Sequence, residues 1–243
     1  MKILGIESSS LVASTAIWED DVIVAEYTVN FKKTHSQTLL PMIDEIVTMT
    51  ETDLAAIDAI AVSAGPGSFT GLRIGSATGK GLGLALKKPL IHVPTIEAMA
   101  YQCYSSRYMI CPIMDARRNQ VYTGLYTFSE ETGEMKTILE PTAIDVKDLA
   151  AELSRYGIRP TLFVGDGIPV YRKQLEELLG APCYFAPAFM NRQRAAAVAS
   201  LGAVYLKEGK TESAADHRPE YLRKSQAERE REARERNQGH ESR

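Results

Sequence analysis

Residues 59–89 read AIAVSAGPGSFTGLRIGSATGKGLGLALKKP, and this stretch decides the fold. Ile57–Ala64, which runs into this stretch, has the look of a buried strand, the glycine-rich GPGS turn follows, and a helix continues from it. Within the helix Gly71, Gly75, Gly79 and Gly83 recur every fourth residue, so they share one stripe. An interior glycine costs a helix roughly 1 kcal/mol relative to alanine. A stripe of them calls for a compensating close approach, by a sheet or by a helix, and a partner protein is one candidate for that surface. In a membrane the pattern would be a helix-packing ladder, but Arg73 and Lys80 interrupt it and no apolar run reaches spanning length.

Outward from this segment the chain reads as α/β. Ile3–Ile6, Leu11–Trp18 and Val22–Tyr27 predict an antiparallel meander turning at Asp20-Asp21, and Thr34–Thr50 a helix with Thr34 as N-cap. Leu39, Met42, Ile43, Ile46 and Val47 form its apolar stripe. Leu90–Val93 is a further strand, and Thr95 is expected to cap a helix reaching about Tyr104. A similar programme restarts near Tyr108. Strands are expected at Tyr108–Met114, Gln120–Phe128, Thr161–Val164 and Cys183–Phe185, and helices at Val146–Tyr156, Val170–Leu179 and Arg194–Lys207. The echo predicts two related subdomains with a cleft between them. The expected divisions are 1–104, 105–189, a helix and strap over 190–224 packing back on both, and a charged tail over 225–243. That tail, rich in Arg and Glu, predicts a solvated helix or disorder.

The 243 residues carry a formal charge of −3, which argues against a free-standing nucleic-acid binder, since phosphate neutralisation needs a basic surface. The start, MKILGIESSS, lacks the apolar segment and cleavage site of a secretory signal. Cys103, Cys111 and Cys183 have no CxxC spacing and read as buried thiols. A cytoplasmic location is expected.

Catalytic signatures are sparse. GPGSFTG is not a GxxxxGK[ST] phosphate loop, because Lys80 falls inside the helix. Glu7-Ser8-Ser9 and Gly165-Asp166-Gly167 stand where duplicated ATPase folds hold phosphates, and each reads either as a turn or as a vestigial nucleotide site. His35, His92, His217 and His240 are scattered, without HExxH or an i, i+4 pair, so no metal site is expected. Asp115, Arg117 and Arg118 make a charged tip between strands. No catalytic residue is assigned.

The segments GIESSS, THSQTLLPMID, AVSAGPGSFTGLRIGSATGKGLGLAL, PTIEAMA, MDARRNQVYTGLY and PEYLR occur in an order that resembles the TsaB (YeaZ) family, over about residues 1–224. The resemblance implies an actin/Hsp70/sugar-kinase-like (ASKHA) fold and a role in making tRNA N6-threonylcarbamoyladenosine (t6A). In the larger paralogue TsaD, two histidines of an HxxxH motif hold a metal. The matching positions here are Thr95 and Met99, poor ligands for such an ion. The implied role is a non-catalytic scaffold that pairs with TsaD and works with the ATPase TsaE. It would self-pair when alone and meet tRNA only through the complex. ATP and metal would belong to the partners, and this chain would bind no cofactor of its own. The pairing surface is expected to involve Gly71, Gly75, Gly79, Gly83, His35, Leu39, Met42 and Ile46, although the leucine-bearing stripe can equally serve the chain's own sheet. Two other classes stay open: an ATP-dependent small-molecule kinase and a metallopeptidase-like protein.

Overall fold

The N-terminal apolar run pairs with two neighbours of opposite direction before the chain first turns helical. In the computed structural model, which describes residues 1–157, 160–180 and 183–223, β1 (Lys2–Glu7), β2 (Ala13–Glu19) and β3 (Val22–Val29) form the expected meander. Its β2–β3 turn uses left-handed Asp20 and Asp21, a conformation that aspartate tolerates. After α1 (His35–Met49), β4 (Ala59–Gly65) joins parallel to β1. The glycine-striped α2 (Phe69–Leu86) then crosses to β5 (Leu90–Pro94), giving the order β3-β2-β1-β4-β5.

The second half repeats the plan. After α3 (Thr95–Tyr101) come β6 (Met109–Asp115), β7 (Gln120–Phe128) and β8 (Met135–Asp145), again an antiparallel meander. Then follow α4 (Val146–Arg155), β9 (Thr161–Val164), α5 (Ile168–Leu179) and β10 (Cys183–Phe185), and the order β10-β9-β6-β7-β8 mirrors the first sheet. The two subdomains thus share one topology.

The inner strands β1 and β4 are covered on both faces, which is why they read as nearly unbroken apolar runs. Ile3, Ala59, Ala61, Ile91 and Val93 pack with Val198, Ala199 and Leu201 of α6 (Ala195–Lys207). The alternate residues Leu4, Ile6, Ile60 and Val62 pack with Leu39, Ile43 and Ile46 of α1. A strap over 211–223 then returns along the sheet: Leu90 and Glu212 exchange backbone hydrogen bonds at 2.9 and 3.0 Å, and the Glu220 N–H donates to Ala64 O at 2.7 Å.

Several local expectations are corrected. β8 was not foreseen. Thr34 does hold the N-cap position of α1, though its side chain makes no cap bond, whereas Thr95 is the first residue of α3 rather than its cap. α3 ends at Tyr101, and α5 begins two residues early, at Ile168. The expected charged tail over 225–243 lies outside the described residues. Among the described residues, no helix is long and apolar enough to cross a membrane.

Candidate functional site

Where β1, β4, β6 and β9 reach their carboxyl ends, a cavity of about 570 Å³ opens between the subdomains, the usual place for a ligand in an open α/β sheet. Its walls come from Ser9 and Ser10 after β1, Gly67 and Ser68 at the start of α2, Asp115 and Arg117 at the β6–β7 tip, Asp166, and strap residues 220–223.

Short polar links set this geometry. The Ser8 hydroxyl donates to Gly71 O at 2.9 Å, tying the end of β1 to α2. Ser68 N donates to Ser9 O at 2.6 Å, and the Ser68 hydroxyl caps α2 by accepting from Gly71 N. His35 is buried with Nε2 2.7 Å from Ser10 O, so Nε2 carries the proton and donates. Across the cleft, the Ser10 hydroxyl donates to Gln193 Oε1 at 3.0 Å while Gln193 Nε2 donates to Asp166 Oδ1 at 3.2 Å. Gln193 therefore joins the two subdomains' turns. The strap contributes Arg223, whose Nη1 donates to Ala116 O at 2.7 Å.

Two carboxyls here are pushed up from their ordinary range. Burial raises Glu7, opposed by hydrogen bonding from Ser9, whose N–H lies 2.6 Å from Oε1. Burial likewise raises Asp166, opposed by the Gln193 amide. Lys33, Arg117 and Arg223 bring cationic groups to the walls against Asp115, Asp166 and Glu220. Together with serine hydroxyls and the start of α2, they form a setting able to receive a phosphate-bearing ligand.

The residues assigned to a vestigial nucleotide site are only partly gathered. Ser9 reaches the cavity, whereas Glu7 and Ser8 lie beneath it, and Gly165 and Gly167 shape the turn that presents Asp166. Gly165 has φ +124°, and a Cβ there would sit 2.2 Å from Ile113 O. Thr95 and Met99 are absorbed into packing. The Thr95 hydroxyl bonds Ser63 Oγ at 2.8 Å and accepts from Gly65 N at 3.2 Å, while Met99 Cε lies 2.5 Å from where a Cβ on Gly165 would be.

The expected pairing surface needs correction. Gly71, Gly75, Gly79 and Gly83 face inward. A Cβ at Gly71 would lie 2.1 Å from Ser8 O, at Gly75 2.2 Å from Ser8 Oγ, at Gly79 2.6 Å from Val62 Cγ2, and at Gly83 2.4 Å from Leu90 Cδ1. The sheet itself fills the groove. His35, Leu39, Met42 and Ile46 are buried as well, because the inner face of α1 is spent on β2, β3 and α2. The open side of α2 is the opposite one, bearing Arg73, Ala77, Gly81 and Leu84. Leu84 and, on α1, Leu40 are more than half exposed. Gly81 meets nothing within 4 Å of its would-be Cβ.

Sequence reasoning missed Gln193 and the strap's part in the cleft. PEYLR was singled out as a motif, but only the fold shows it walling a cavity.

The profile of the family described as TsaD, tRNA N6-adenosine threonylcarbamoyltransferase, matches residues 23–231. A Bacillus subtilis protein named tRNA threonylcarbamoyladenosine biosynthesis protein TsaB is 33% identical over 233 residues, covering 94% of this chain and 96% of that one. A Pseudomonas aeruginosa structure, described as similar to the peptidase YeaZ, superposes with TM-score 0.77 at 25% identity, covering 91% of this chain and 99% of that one. A ROK hexokinase from Thermus thermophilus matches at TM-score 0.50 and 11% identity, over 86% of this chain and all of its own, and speaks to the sugar-kinase-like fold alone.

Proposed function

The chain belongs to the TsaB family of tRNA threonylcarbamoyladenosine biosynthesis proteins, and from this we propose that it is a non-catalytic scaffold subunit, pairing with TsaD and working with the ATPase TsaE. Threonylcarbamoyl transfer from its adenylate to N6 of adenosine 37 takes place on TsaD, and this chain holds TsaD in its active form. One observation supports the assignment above the others. The positions matching the paralogue's metal-binding histidines hold Thr95, wired to Ser63 and Gly65, and Met99, packed at Gly165. Neither side chain is available to an ion.

The pairing surface we assign is the outer face of α2. Gly81 sits mid-helix where it weakens the helix and fills no internal contact, and beside it Ala77 and Leu84 leave a low surface on which another helix can lie. Reconstitution tests the whole reading. This chain, TsaD and TsaE with threonylcarbamoyl-adenylate and tRNA should yield t6A, and this chain alone should yield none; transfer by this chain alone would refute it. Gly81→Leu adds bulk outside the fold and should weaken co-purification with TsaD about tenfold or more. Undiminished pairing would remove α2 from the interface while leaving the scaffold role standing.

A further inference from the structure

Two of the scattered histidines converge at the edge of the first sheet. His92 lies on β5, two residues beyond Leu90 and therefore on the same sheet face. Leu90 bridges Glu212, the first anchored residue of the strap. His217, further along the strap, is 1% exposed, and its Nδ1 lies 2.5 Å from Glu212 Oε1. That carboxylate oxygen is also 3.9 Å from His92 Nδ1, and His92 Nε2 is 3.7 Å from Glu220 Oε2. One donor atom from each of His92, Glu212 and His217 falls within 4.8 Å of the others.

We propose that His92, Glu212 and His217 form a zinc-class divalent cation site that fastens the strap to β5. Three observations carry it. Two imidazoles and a carboxylate are a donor set suited to zinc, with bonds of about 2.0–2.2 Å, and unsuited to magnesium, which prefers oxygen alone. His217 is committed at one nitrogen only, since its buried Nε2 has no hydrogen-bond partner. Glu212 and Glu220 also lack a permanent counter-cation: among the described residues, their ion pairs are to histidine alone. The nearby Lys80 ammonium is spent instead on the backbone oxygens of Ala215 and His217, at 2.9 and 3.1 Å. The present separations exceed a coordination sphere, and His92, about one-third exposed on a strand edge, is the side chain placed to swing inward. Such an ion would hold in place the segment whose Tyr221, Leu222 and Arg223 wall the cleft.

Calorimetry on the untagged, chelator-treated full chain tests this, using Zn²⁺ and, separately, Mg²⁺. One equivalent of Zn²⁺ should bind, Mg²⁺ should not compete, and His92→Ala, which removes a partly exposed side chain, should weaken binding at least tenfold while the folded spectrum is kept. Co²⁺ should give the intense visible bands of a low-coordinate nitrogen–oxygen site, lost in His92→Ala. Absence of Zn²⁺ binding would overturn the proposal. So would binding that survives His92→Ala, or binding abolished by His240→Ala instead.

Discussion

Alanine in the glycine stripe should damage this protein by itself, with no partner present. At Gly71 the incoming Cβ would stand 2.1 Å from the backbone oxygen of Ser8, far inside the 3.0 Å that real Cβ contacts respect. That oxygen cannot rotate away, because it belongs to the turn whose next two residues are pinned, Ser9 O accepting from Ser68 N and Ser10 O from His35 Nε2. Overpacking of this kind costs about 1–3 kcal/mol, and the top of that range applies where backbone must move. Alanine returns about 1 kcal/mol of helix propensity, so Gly71→Ala should lose about 2 kcal/mol net, a fall in Tm of about 4–8 °C at this chain length. Gly81→Ala has open space around it and no clash to offset the propensity gain, so it should gain about 1 kcal/mol, a rise of about 2–4 °C. Urea unfolding of the isolated chain, followed by circular dichroism, measures both. A Gly71→Ala variant as stable as the parent would refute the inward placement of the stripe.

Glu7→Gln should stabilise the chain at pH 7 and lose that advantage as pH falls toward 4.5. Burial raises the Glu7 carboxyl, so the native state favours its protonated form; that contribution is complete below the unfolded value of 4.5 and is lost as pH rises through the folded value. Unfolding midpoints across pH 4–8 check it, and a pH-independent difference would contradict it. Burial pushes the thiols of Cys103 and Cys111 up to about 12, so alkylation of the native chain at pH 8 should modify Cys183 first, as peptide mass spectrometry would register. Equal labelling of Cys111 would count against the buried core described for the second subdomain.

Much of the architecture was legible because it rests on local rules. The strand–turn–helix of residues 59–86, the Asp20-Asp21 reversal and the duplicated element order all follow from periodicity and turn chemistry. The glycine spacing announced close packing, but spacing alone cannot tell which surface fills a groove, and here β1, β4 and β5 do. β8 was illegible because it is an edge strand. MKTILEPTAID carries charges and a proline, and no residue in it is fully buried, so it lacks the alternation by which strands are read. Thr95 illustrates a different failure: its position suggests a helix cap, yet its hydroxyl reaches back to β4 instead. The meeting of His92 with His217 and the Ser10–Gln193–Asp166 link depend on residues far apart in sequence, which periodicity cannot bring together.

The placement of α6 bears on biosynthesis. Ile3, Ala59, Ala61, Ile91 and Val93 are translated well before Val198, Ala199 and Leu201, the residues that cover them. A ribosome that has released only the first half of the chain therefore presents a bare oily sheet face to chaperones and to other nascent chains. A truncation ending ahead of Ala195 would keep that face permanently open and should precipitate, even though every strand of the first sheet is intact.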